Sequence, residues 1–518
     1  MTATAQTVLH GGLIADGFGG EPFLGDVLVS GDRVTAVVRL SERPVSGYDA
    51  ESIDCSGRVI APGFVDIHCH SDLSLLAYPG NESRITQGIT TEVVGNCGMT
   101  PAPQGTDAAG LARVISTIDV RPDLEWGWTD VAGWLQALDE CDTATNVAAH
   151  IGHGSARFAA SGISTVLTTD QSTNLERELE RAFAAGVIGA SVGLMYSPGE
   201  SADAEELASV ARIVAAHDGV LSAHLRDYRT DALQESIDEL VGALGDNGPR
   251  LQISHLRGIG RGPGFSEVLD HVETLRASHD IAADAYPYVH GHTTLIQLLP
   301  SALRIAGPDA VVDRCRSDPA SVAGLFRTAG YERDQVIIMK AANTPDAVGM
   351  SLTAVDGDPW RWLVDLLVAN RGLVDVAVES GLWSDVDLAF AETWVSVASD
   401  GTALDRTHRA SAAHPRSWGA FSAGYRRLRQ RGTGIGETVR RLTTAPAARV
   451  GIASGIVPDQ RADLVVLDDG TFDAAATFER PAQRSVGLDH VYVNGSAVIS
   501  SGELTDARPG MLIRKGQQ

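Results

Sequence analysis

The sequence predicts an α/β protein, a parallel barrel or open sheet with a small β domain that both ends of the chain build together. Three observations predict it. Apolar strand-like runs alternate with amphipathic helical stretches from about residue 63 to residue 445. Short β-branched runs separated by glycine turns fill residues 1–62 and return in residues 446–518. Residues able to bind metal or move protons end several strand-like runs of the central part, which is where barrel enzymes build their sites.

At the start, Thr7-Val8-Leu9-His10, Asp26-Val27-Leu28-Val29 and Val34-Thr35-Ala36-Val37-Val38 read as strands divided by Gly-Gly and Gly-Asp turns. At the far end, Ala462-Asp463-Leu464-Val465-Val466-Leu467, His490-Val491-Tyr492-Val493 and Ala497-Val498-Ile499 read the same way, with Asn494-Gly495 as a turn. Two β segments at opposite ends suggest one discontinuous domain closed around an inserted body. In that body, Ala190–Met195 reads as a strand, Ala204–His217 as a helix and Val220–His224 as a strand. Helix Asp231–Leu244 and strand Leu251–His255 follow. A region around 295–395 breaks this rhythm and is expected to be an insertion or lid.

The 518 residues exceed one ordinary core unless that core is a large α/β barrel with appendages. A hydrophobic content of 44% with 21% charged residues fits a globular protein. No apolar run reaches the roughly 20 residues that span a bilayer. Met1–Gly12 lacks a basic stretch followed by an apolar one, so no leader and a cytoplasmic location are expected. A formal net charge of −25 argues against nucleic acid as a partner. The five cysteines, Cys55, Cys69, Cys97, Cys141 and Cys315, are odd in number and scattered, which is no disulfide framework.

The chemistry-bearing residues begin with His68-Cys69-His70, which follow Phe64-Val65-Asp66-Ile67. Alternation along a strand puts both imidazoles on one face, half of a divalent-metal site. Ile89-Thr90-Thr91-Glu92-Val93-Val94 then leads through Gly95-Asn96 to Cys97, a soft ligand suited to zinc if it is a thiolate. Two further runs end in His224 and His255, and Val395-Ser396-Val397-Ala398-Ser399 ends in Asp400 before a glycine. Taken singly, a buried cysteine filler or a turn aspartate explains Cys97 or Asp400 as well. Two successive strands ending in histidine make coincidence a poor account.

Taken together these stretches resemble the amidohydrolase superfamily and, within it, the N-acyl-D-amino-acid deacylase (D-aminoacylase) family. The matching stretches are residues 11–17, 61–72, 87–98, 252–256, 284–288 (Asp-Ala-Tyr-Pro-Tyr), 399–401, 414–419 (His-Pro-Arg-Ser-Trp-Gly), 462–466 and 493–495. The Asn-Cys-Gly and His-Pro-Arg elements point to D-aminoacylases in particular. The resemblance implies a TIM-like (β/α)8 barrel with a small discontinuous β-sandwich domain. It implies zinc-dependent hydrolysis of N-acyl-D-amino acids, with a tight zinc on Cys97, His224 and His255. A second, weaker metal position would use His68, His70 and Asp400 and share Cys97. It makes Asp400 the general acid/base and gives the grip on the substrate carboxylate to Arg257, Tyr288 and Arg416.

Many amidohydrolases bridge two metals with a carboxylated lysine. Residues 98–255 contain no lysine, since Lys340 and Lys515 are the only two in the chain, so Cys97 is the bridging candidate. The sequence departs from the family in three places. Arg257 stands where lysine is usual. His290 and His292 follow Tyr288 where small residues are usual, and either reshape the acyl or side-chain pocket or sit in a loop. The stretch from Asp400 to His414, which contains His408, is longer. His153 and Arg157 also resemble family residues and are read as structural. The competing expectations are a cyclic-amide hydrolase of the dihydroorotase or hydantoinase kind, a D-residue dipeptidase, and a non-catalytic metal-binding relative. The expected partner is a small-molecule N-acyl-amino acid, with no nucleic acid and no membrane.

Overall fold

A computed structural model describes residues 7–42, 50–115, 124–245, 247–260, 264–408 and 414–516. Eight parallel strands run in sequence around the central body: Phe64–Asp66, Ile89–Val94, Asn146–Gly152, Gly189–Gly193, Val220–His224, Arg250–Ile253, Ile281–Ala285 and Val395–Val397. Their residues are almost all buried on both faces, as expected of parallel strands sheathed by helices. The ring closes between first and last strands just beyond their ends. There the Asp400 N–H donates to the His68 carbonyl at 2.8 Å and the His70 N–H to the Gly401 carbonyl at 2.7 Å. The expected fold class is therefore the observed one, a TIM-like barrel with an additional sheet domain.

Local chemistry sets the helices between strands. Helix Thr169–Ala185 begins with a capping box, Thr168 and Gln171 each satisfying the other's backbone N–H, and stops at Gly186 in the left-handed conformation. Helix Ala204–Ala216 begins at Asp203, whose carboxylate accepts from the Glu206 N–H, and carries Glu205 and Glu206 in its first turn. Leu207, Val210, Ala211 and Val214 form its buried stripe.

The strands of the two termini join in one nine-stranded sheet, with Val59–Pro62 pairing antiparallel to Leu464–Leu467 at the seam. The sheet packs around its own apolar cluster, which includes Leu9, Val27, Ile60, Leu464 and Val466. Val59–Pro62 passes through Gly63 straight into the first barrel strand, so this sheet anchors the strand that leads to His68.

The region where the βα rhythm fails forms a second layer over the barrel mouth. His290–Thr294, Asp375–Glu379 and Val336–Lys340 make a three-stranded antiparallel sheet. Helices such as Pro308–Ser317 and Pro359–Ala369 pack on it around a separate apolar cluster that includes Leu295, Val311, Leu363 and Val376. His290 and His292 thus belong to a strand, not a loop. The lengthened stretch after Asp400 falls partly on residues 409–413, outside the described residues. Among the described residues no helix is long and apolar enough to cross a membrane.

Candidate metal centre

The expected ligands were read as the last residues of strands, but the strands stop earlier. Phe64–Asp66 ends before His68, Ile89–Val94 before Cys97, Arg250–Ile253 before His255 and Val395–Val397 before Asp400; only His224 closes its own strand. The reason lies in the backbone. Cys97, His255 and Asp400 have φ of 54°, 36° and 49°, left-handed values that break a ladder and turn the side chain over the barrel mouth. Such a conformation costs about 1–3 kcal/mol for a residue with a side chain. Three instances in one site mark strain that the surrounding fold has to hold. Gly193 shows how tightly: a Cβ there would overlap the carbonyl oxygen of Cys97.

Alternation survives past the first strand. Cys69 turns away, its Sγ 3.3 Å from the Val93 carbonyl, while the rings of His68 and His70 converge with centroids 5.4 Å apart. The Sγ of Cys97 lies 3.4 Å from Nε2 of His68, 3.4 Å from Nδ1 of His224 and 3.7 Å from Nε2 of His255. These contacts define two buried three-donor groups, His68–His70–Cys97 and Cys97–His224–His255, that share one sulfur. Oδ1 of Asp400 abuts the first, 3.1 Å from Nε2 of His70 and 3.7 Å from Nε2 of His68.

The donors fit a zinc-type ion. Tetrahedral bonds of about 2.3 Å to sulfur and 2.0–2.1 Å to nitrogen place those two atoms roughly 3.5 Å apart, the spacing found around Cys97. Burial alone would push the Cys97 thiol up, but the imidazoles of His68 and His224 outweigh it and hold the group well below its ordinary value, as a thiolate. Burial pushes His224 down to about 4, which leaves it neutral and able to donate a lone pair. At Asp400 burial works against charge, yet Arg416 and His70 outweigh it and keep the carboxyl well below the usual range.

The cavity in front of these donors is lined by Arg257 and Arg416 among others, but Tyr288 is not part of its wall. The Tyr288 hydroxyl is buried elsewhere without a hydrogen-bond partner, its ring edge-on to His414. Tyr286, two residues earlier, is the motif tyrosine that faces the cavity, with the Arg257 and Arg416 guanidiniums 5.5 and 5.1 Å from its ring centre. Nη1 of Arg257 is buried without a hydrogen-bond partner, whereas Nη1 of Arg416 donates to Oδ2 of Asp400 at 2.7 Å. Gly291 leaves room for Arg257, because a Cβ there would overlap its guanidinium as placed. His292 lines the cavity and is pushed down to about 3, by burial first and then by Arg416, so it is neutral. His290 packs its ring against Phe478 instead, tilted at 51° with centroids 4.5 Å apart. His153 and Arg157 both bond Glu206, at 2.6 and 2.9 Å, and His408 meets the Tyr78 hydroxyl at 3.0 Å; none of the three lines the cavity.

Two kinds of residue escaped the sequence reading. Asp284 is buried, accepts from the His255 N–H at 2.7 Å through Oδ1 and from Nε2 of Gln252 at 3.0 Å through Oδ2, and places Oδ1 3.3 Å from Nδ1 of His68. A lone carboxylate inside the apolar strand Ile281-Ala282-Ala283-Asp284-Ala285 was the available signal, because a buried charge needs partners. Tyr196 and Tyr228 set their rings against His224, with centroids 4.8 and 5.1 Å away.

The sequence profile of the amidohydrolase family matches residues 51–235. An N-acyl-D-glutamate deacylase of Alcaligenes xylosoxydans xylosoxydans is 30% identical over 99% of this chain and 98% of its own length. A D-aminoacylase of the same organism is 31% identical over 98% of this chain and 97% of its own. The crystal structure of N-acyl-D-glutamate deacylase from Bordetella bronchiseptica, with zinc and a phosphonate mimic of the tetrahedral intermediate, superposes with a TM-score of 0.81. It is 29% identical and covers 99% of this chain and 100% of that one.

Proposed function

The chain belongs to the amidohydrolase family and, within it, to the N-acyl-D-amino-acid deacylases, and on that premise we propose that it is a metal-dependent hydrolase of N-acyl-D-amino acids. It cleaves the linear amide and releases a carboxylate and a free D-amino acid. The observation that carries this reading is the sharing of one buried thiolate between two donor groups, with a carboxylate against one of them. Neither the cyclic-amide nor the dipeptidase reading finds support among these relatives.

Cys97, His224 and His255 would hold one divalent ion, zinc by their donor chemistry, and His68, His70 and Asp400 would offer a second, weaker position with Cys97. The chemistry a bound ion would supply there is Lewis acidity, which polarises an amide carbonyl and makes water a stronger acid. Asp400 accepts the proton of the attacking water on Oδ1, the oxygen turned toward His70 and the donor groups, while Arg416 occupies Oδ2. It then returns that proton to the departing nitrogen, because an amide anion is too basic to leave unprotonated. Arg257, with Nη1 unpartnered in the cavity wall, grips the substrate α-carboxylate through a planar fork. Tyr286, between the two guanidiniums, takes the place given to Tyr288 from sequence. Carboxylate at Arg257, carbonyl at the donor groups and side chain against the cavity wall are three fixed points, enough to select one hand.

Asp400→Asn tests the assignment. Turnover of N-acetyl-D-amino acids should fall by about 100- to 10,000-fold, the range general acid–base groups supply, while zinc measured by elemental analysis stays bound. Undiminished turnover would remove Asp400 from this role.

A further inference from the structure

Relatives named for D-glutamate, for D-aspartate and for D-amino acids generally are 30%, 30% and 31% identical to this chain, so overall likeness leaves the D-side chain undecided. The cavity wall does not. Its permanently cationic side chains, among the described residues, are Arg257 and Arg416. Arg416 is bound to Asp400 at 2.7 Å, and Arg257 is the group left for the α-carboxylate that every N-acyl-amino acid carries. Among the described residues no third cation lines this wall. Arg304 stands behind the wall, turned to the Met195 carbonyl and the Gln297 amide oxygen and paired with Glu200 at 3.4 Å.

Away from the donor groups and Asp400, the rest of the wall is apolar or uncharged. Met195 and Ile259 come from the barrel mouth, and Leu298, Tyr331 and Val378 from the inserted layer; Thr293 and Gln297 are neutral. A second carboxylate on the substrate would lose its water here and meet no counter-charge, whereas a branched or thioether chain would trade water for apolar contact. We infer that this site takes N-acyl-D-amino acids with an uncharged, apolar side chain of the leucine or methionine class and refuses the acidic ones. Leu298 and Val378 of the inserted layer are specificity-determining residues.

This inference rests on the deacylase reading, and one assay separates the two. The zinc-loaded full-length protein is given N-acetyl-D-leucine, N-acetyl-D-methionine, N-acetyl-D-glutamate and N-acetyl-D-aspartate, and kcat/KM is compared. The apolar pair should lead by about 100-fold. Leu298→Arg, which sets a guanidinium in the wall, should narrow the leucine-to-glutamate ratio by about tenfold or more; as a ratio within one preparation, it does not depend on how much of the variant folds. N-acetyl-D-glutamate or N-acetyl-D-aspartate turned over as well as N-acetyl-D-leucine overturns the inference and leaves the deacylase reading intact. An unchanged ratio in Leu298→Arg overturns the role of Leu298. Inactivity on all four substrates overturns both readings.

Discussion

Arg416 donates through Nη1 to Oδ2 of Asp400 at 2.7 Å, and both side chains are buried. A charge pair out of water is costly to break from one side, about 3–5 kcal/mol, because the remaining ion keeps its desolvation without its partner. The pairing also bears on the role proposed for Arg416. Were it chiefly a grip on the substrate carboxylate, its loss would raise KM. Holding Asp400 ionised and oriented, it should act on kcat. Arg416→Ala is therefore expected to lower kcat far more than it raises KM and to lower Tm, and Arg416→Lys to recover part of kcat. Steady-state kinetics across the three proteins checks this, and a pure KM effect would return Arg416 to the substrate.

The two cysteines beside the first histidine pair should behave oppositely. Cys97 touches donors of both groups, whereas Cys69, between His68 and His70 in sequence, sends its sulfur to the Val93 carbonyl at 3.3 Å. Cys97→Ala should strip both positions and weaken metal binding by more than the roughly 10- to 100-fold that an outer partner contributes. Cys69→Ala should keep its zinc. Elemental analysis of the gel-filtered proteins distinguishes them, and equal zinc in both variants would end the shared-sulfur arrangement.

The candidate donors could be picked out in sequence because His68, His70, Cys97, His224, His255 and Asp400 each follow a β-branched or apolar run, and chemistry at the end of such a run is uncommon unless used. Their exact seat could not, since a left-handed φ leaves no trace in residue type at Cys97 and only a mild bias at His255 and Asp400. The choice between Tyr286 and Tyr288 was lost for a related reason. Strand Ile281–Ala285 ends just before them and Pro287 lies between, so alternation no longer tells which one faces the cavity. The inserted layer showed itself as a failure of the βα rhythm. That its residues Leu298, Tyr331 and Val378 close over the barrel mouth depends on packing between segments far apart in sequence.

Asp284 makes a prediction about metal affinity in place of rate. Its Oδ1 sits 3.3 Å from Nδ1 of His68 and accepts from the His255 backbone at 2.7 Å, so one carboxylate steadies a ligand of each donor group. A carboxylate behind a histidine fixes its tautomer and makes the opposite nitrogen a better donor. Asp284→Asn should weaken zinc binding by about 10- to 100-fold, read by competition with a chromophoric chelator. Unaltered affinity would reduce Asp284 to a packing role.

Far from the donors, Asp463 gives the terminal sheet a pH dependence of known sign. Burial pushes its carboxyl up to about 6 in spite of the Asn494 backbone N–H at 2.7 Å and the Asn146 amide at 3.0 Å. In the unfolded chain an aspartate titrates near 3.9, so between the two values the fold keeps a proton that the unfolded chain has lost. The resulting contribution to stability is complete below about pH 3.9 and fades as pH rises through about 6. Asp463→Asn cannot titrate. Its stability relative to the parent should therefore improve by about 2 kcal/mol between about pH 4.5 and pH 7, measured by urea unfolding at each pH. A difference between the two proteins that stays flat across that window would mean that Asp463 is already ionised in the fold, held by its two amide donors against the cost of burial.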